Sequence, residues 1–137
     1  MDRQLPADLE VFDRRAAPAV QAPYITIQAS GTITVNRASA EVLGLPEAVE
    51  LAFSREERLI VLRPVELSSP RAYPLRKQGR SSNYVIGGKA FCDYYGISLG
   101  TAKRYAAEHI GNNMLAVDLK QEAARPARAK RQSQDKG

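Results

Sequence analysis

Leu59, Ile60, Val61 and Leu62 form an unbroken apolar run in a chain whose other extended stretches alternate apolar with polar residues. Four consecutive apolar positions leave a strand no polar face, so this one is expected to be buried on both sides. The preceding LPEAVELAF puts Val49, Leu51 and Phe53 on one face of a partner strand, with SREER as the polar turn between them. A lone hairpin cannot cover both faces of its own strand, so a second layer or a partner subunit is required. At 137 residues the chain holds one domain of ordinary size.

Upstream, YITIQASGTITV alternates around Ser30-Gly31 and predicts two short strands carrying Ile25 and Ile27, then Ile33 and Val35. NRASAEVLG follows, where Asn36 is a helix cap and Gly44 a left-handed stop. This helix is too short to stand alone and must pack Val42 and Leu43 on the rest of the domain. Residues 1–23, with Pro6, Pro18 and Pro23, leave room for one short helix and read as an N-terminal extension.

Residues 66–82 are rich in Pro, Ser and Gly and carry Arg71, Arg76, Lys77 and Arg80, which predicts a long basic connector. A second structured block spans 83–119. Its AEHIGNNMLAVDL gives a Gly-Asn turn followed by Leu115, Val117 and Leu119 in alternation. From 120 to 137 the chain is basic and almost free of large apolar side chains, so a disordered tail is expected.

The chemistry-bearing residues are few. Cys92 and His109 are each the sole residue of their kind, which excludes an intrachain disulfide or a multi-cysteine zinc site. No phosphate loop, nucleophile elbow or HExxH is present, so neither metal nor cofactor is expected and a binding protein is favoured over an enzyme. No apolar run reaches the ~20 residues of a membrane span, and the N-terminus lacks the apolar core of a secretory signal, so the expected location is cytoplasmic. The net charge of +5 is concentrated toward the C-terminal end and favours a polyanionic partner.

The stretch GTITVNRASAEVLGLPEAVELAFSREERLIVLRPV, residues 31–65, resembles the AbrB/SpoVT family of swapped-hairpin DNA-binding domains. The shared features, in order, are a Gly-led strand, a short helix ending in Leu-Gly, a following Pro, then V-E-L and a closing apolar strand ending in L-R-P. The resemblance implies a β-α-β-β unit that interleaves with a second copy, which would cover the strand at 59–62. The second block offers that copy within the same chain, with Ala90, Gly96 and Ile97 echoing Ala38, Gly44 and Leu45. The fold expected is thus mainly β with short helices (α+β), two such units at 24–65 and 83–119 forming a pseudo-dimeric barrel. On the same residues CDYYGISLGTAKRY also reads as a helix-turn-helix, with 101–110 as its recognition helix and Ala102, Tyr105, Ala106 and His109 on one face.

The resemblance further implies a transcriptional regulator binding duplex DNA. The short helix carries Ala40 and Glu41 where that family has arginines, leaving only Arg37. The DNA-binding residues expected are therefore Arg37, Arg71, Arg76, Lys77, Arg80, Lys89, Lys103 and Arg104, with Arg128, Lys130 and Arg131 in the tail. Such residues are also ordinary solvated side chains, and Glu47, Glu50, Glu56 and Glu57 are available to pair with some of them. Tyr73, Tyr84, Tyr94, Tyr95 and Tyr105 lie among the cations, a pattern shared by nucleic-acid surfaces, core edges and protein interfaces. The alternative function is accordingly a protein-interaction or assembly module on the same fold, working as a homodimer or with a protein partner.

Overall fold

The computed structural model describes residues 5–9 and 22–123. The first pair of strands, β1 (Tyr24–Ile27) and β2 (Thr32–Val35), turns at Gly31, whose φ of +93° is a conformation that favours glycine. Helix α1 (Arg37–Val42) starts where Asn36 accepts a hydrogen bond from the Ser39 amide and ends in left-handed Gly44. β3 (Ala48–Ser54) and β4 (Leu59–Val65) form the second hairpin. All of these elements lie where the apolar periodicity puts them.

The connector is not a plain loop. It contains two two-residue strands, β5 (Tyr73–Pro74) and β6 (Arg76–Lys77), separated only by buried Leu75. After β7 (Tyr84–Gly87) come helix α2 (Lys89–Tyr94), β8 (Lys103–His109) and β9 (Leu115–Glu122). The helix-turn-helix reading is therefore overturned, because 103–109 is a strand paired to both β1 and β9. Tyr105 and Ala107 are its inward residues; the spacing that mimics a helix face also fits a strand with apolar residues at every second position. β9 runs to Glu122 and so extends into the stretch read from 120 as tail.

The strands form one antiparallel sheet in the order β5-β3-β4-β9-β8-β1-β2-β7-β6. Because β5 and β6 stand at opposite ends of this order and are nearly contiguous in the chain, the sheet curls into a nearly closed barrel. The Leu75 amide donates to the Glu47 carbonyl at 2.9 Å and carries the β5–β3 ladder across the junction.

Ile25, Ile33, Val35, Val49, Ile60, Leu62, Ile86, Leu115 and Val117 are fully buried inside. Each contributes about 1.5–3 kcal/mol by leaving water. The run at 59–62 is buried on one face only, since Ile60 and Leu62 point inward while Leu59 and Val61 are half-buried on the outside. Closure of the barrel covers the inner face, and the outer face packs only in part.

Candidate nucleic-acid interface

The inward isoleucines of β1 put Tyr24, Thr26 and Gln28 on the outer surface, by the strict alternation of a strand. Register then determines what stands beside them. Thr26 is opposite Arg104 on β8 and Thr34 on β2; Thr34 is opposite Val85 on β7, which is opposite Arg76 on β6. Arg104, Thr26, Thr34, Val85 and Arg76 thus form one cross-strand row. At the usual strand spacing it runs roughly 19 Å around the barrel.

One end of this row is a polar cleft of about 310 Å³. The Arg104 guanidinium lies over the Tyr24 ring, 3.9 Å from its centroid, and fixes one wall. Thr26, Gln28 and Thr34 form the floor, where the Gln28 amide donates to the Thr34 hydroxyl at 3.1 Å. Gln78 and Asn83, joined by a backbone bond of 2.9 Å, close the cleft from the β6–β7 turn, whose tip carries exposed Arg80. Among the described residues no carboxylate lines the cleft. Arg104 Nε is buried there without a hydrogen-bond partner among the described residues.

Tyr24 itself is held by α1. Its amide donates to the Asn36 side chain at 3.1 Å, and its carbonyl accepts from the Ser39 hydroxyl at 3.0 Å. The Asn36 amide also donates to the Ala22 carbonyl at 2.9 Å. The cap that starts the helix therefore anchors the strand that supports Arg104.

The expected DNA-binding residues divide into two groups. Arg37, Lys89 and Lys103 face carboxylates: Glu41 at 2.9 Å, Asp93 at 2.8 Å and Glu122 at 3.7 Å. The bond to Glu41 raises the Arg37 pKa further, so its charge is permanent but locally offset. Arg71, Arg76, Lys77, Arg80 and Arg104 have no salt bridge among the described residues. Arg104 and Arg76 belong to the row and Arg80 to the turn above it, whereas Lys77, opposite Tyr84 in the neighbouring register, and Arg71 lie outside it. Arg128, Lys130 and Arg131 fall outside the described residues, as do the rest of the expected tail beyond Ala123 and most of the N-terminal extension. Glu50 pairs with Arg63 at 2.8 Å and not with any of the expected residues.

Sequence reasoning passed over Tyr24, Thr26, Gln28, Thr34, Gln78 and Asn83. Alternation places the first three on the outer face, but only the β1–β8 register brings Arg104 to them.

The tyrosines also divide. Tyr105 is buried in the core, and burial pushes its phenol above the usual range. Tyr94 is 72% exposed on α2, packed edge-on to Tyr95 at 4.8 Å, with the Arg55 guanidinium 4.8 Å from the Tyr95 centroid. Tyr94 and Tyr95 border a second cleft of about 520 Å³ that Arg71, Tyr73 and Phe91 also line. Among the described residues there is no His/Cys/Asp/Glu cluster able to hold a metal ion, and no helix long and apolar enough to cross a membrane.

No family model, curated protein or solved structure matches this chain.

Proposed function

We propose that this chain is a DNA-binding protein, a transcriptional regulator of AbrB-like type, that engages duplex phosphates along the row from Arg104 to Arg76 and at the β6–β7 turn. The observation that carries the reading is the concentration there of cations without a carboxylate partner among the described residues: Arg76, Arg80 and Arg104. Phosphate contacts of this kind need neither metal nor cofactor.

The barrel is proposed to be pseudo-dimeric, one β-α-β-β unit made by β2, α1, β3 and β4 and the other by β7, α2, β8 and β9. Two observations support it. Exchanging the units, and β1 with the β5–β6 segment, turns every strand pairing into another observed pairing or into itself. The two helix ends also repeat bond for bond: Gly44 to Glu41 and Leu45 to Ala40 recur as Gly96 to Asp93 and Ile97 to Cys92.

The test is binding of a duplex to the full chain at low salt, beside R76Q and R104Q and with K89Q as the ion-paired control. Each row variant is expected to weaken binding to all sequences alike and to reduce the salt slope by about one counterion, while K89Q changes little. Absence of any duplex binding at low salt overturns the reading.

A second reading, a protein-interaction module on the same fold, is favoured by exposed Tyr94 beside the 520 Å³ cleft. It predicts a stoichiometric protein complex that Y94A weakens and added DNA leaves intact. A duplex that displaces the partner would count against it.

A further inference from the structure

We propose that the cleft beside Arg104 is a binding site for a single phosphate group; this rests on the proposed function and specifies the chemistry of one part of its surface. Three observations converge on an oxyanion. The guanidinium lies over the Tyr24 ring, 3.9 Å from its centroid, which holds it at the cleft before any ligand arrives. Its Nε–H is buried without an acceptor, a state that an entering anion, with a small shift of the side chain, relieves. The lining is mostly polar and contains no carboxylate among the described residues, which leaves the positive charge without a counter-charge there and makes the site unsuitable for a cation.

The remaining walls suit a tetrahedral group with several acceptor oxygens. Thr26 contributes a hydroxyl, and Gln78 and Asn83 contribute side-chain amides from the opposite side. At about 310 Å³ the recess admits a phosphate with its attached sugar and excludes a duplex, so a DNA strand could present only one backbone phosphate to it. Phosphate carried by the DNA backbone and phosphate carried by a small molecule share this chemistry. Only an experiment with both separates the two sources.

The test is a titration of the full chain with inorganic phosphate at constant ionic strength, following by NMR the Thr26 backbone amide and the Asn83 side-chain amide, which line the cleft and are present in every variant, and then with a short duplex. A saturable shift is expected. R104K, which keeps the charge but loses the guanidinium over Tyr24 and its Nε donor, should weaken it at least about tenfold, the size of one lost charge-assisted contact. Q78E provides an independent variant at an exposed position: a carboxylate in the recess should abolish phosphate binding without unfolding the chain. Weaker saturation in R104K and none in Q78E support the site. No saturable shift in the wild type, or an unchanged one in Q78E, overturns it even where the duplex binds. Phosphate binding without duplex binding retains the site and removes the DNA reading. Where both bind, competition assigns the recess to the DNA backbone, and independent binding assigns it to a small phosphorylated ligand.

Discussion

Asn36 joins three parts of the molecule through one side chain: the first turn of α1 at Ser39, the start of β1 at Tyr24 and the segment before it at Ala22. Asn36→Ala removes a helix cap and leaves the Tyr24 amide without its side-chain acceptor, so a loss of about 2–3 kcal/mol is expected in urea unfolding. Since Tyr24 supports Arg104, the same substitution should also weaken duplex binding. Asn36→Asp keeps the acceptor and should recover most of the stability. At Cys92 the outcome depends on pH. Burial, then the neighbouring Asp93, pushes the thiol above its ordinary 9.0, and burial does the same to Tyr105. A group raised in the folded state stabilises it fully below the unfolded pKa and loses that contribution as pH rises through the folded value. Stability should therefore hold through neutral pH and fall above about pH 9, and a thiol reagent should label Cys92 only on unfolding. Rapid labelling of the native chain at neutral pH would contradict the buried placement.

At the scale of elements, the contact between the start of β2 and the start of α2 is the tightest constraint. A Cβ on Gly31 would lie 2.6 Å from the Lys89 Cα, and the residue's φ is +93°. Gly79, at the β6–β7 turn, has φ +51° but nothing within 4 Å. Gly79→Ala should cost about 1 kcal/mol of backbone strain, and Gly31→Ala clearly more, in paired thermal melts. Equal costs would mean that Lys89 moves aside freely. The same comparison shows what was legible in the sequence. β1, β2, α1, β3 and β4 follow from local periodicity, the Asn36 cap and the Gly44 stop. β5 and β6 were not legible, because two-residue strands around Leu75 have no period of their own and exist only through pairing with β3 and β7. The 103–109 strand was ambiguous because short apolar spacings fit either period. The candidate cleft was half legible: its one cation, Arg104, stood out by type, its threonines and amides only by register.

For the whole molecule, the proposed pair of β-α-β-β units in one chain would complete the core without a second subunit. Unfolding should then be independent of protein concentration, and a midpoint that rises with concentration would contradict this. Arg125, Arg128, Lys130, Arg131 and Lys136 lie in 124–137, outside the described residues, and are proposed to add to duplex binding. Ending the chain at Ala123 should weaken binding to all duplexes by a similar factor and flatten the salt dependence, with no change in melting temperature. A lower melting temperature would show that this segment packs on the barrel. The central claim, that unpaired cations around the barrel engage duplex phosphates, is tested most directly by titrating the full chain with duplex DNA across a salt series. The account predicts that log Kobs falls linearly with log[salt], at about 0.9 per phosphate engaged, and less steeply in R76Q/R104Q. A binding constant that does not change with salt, or a double variant with the wild-type slope, would contradict it.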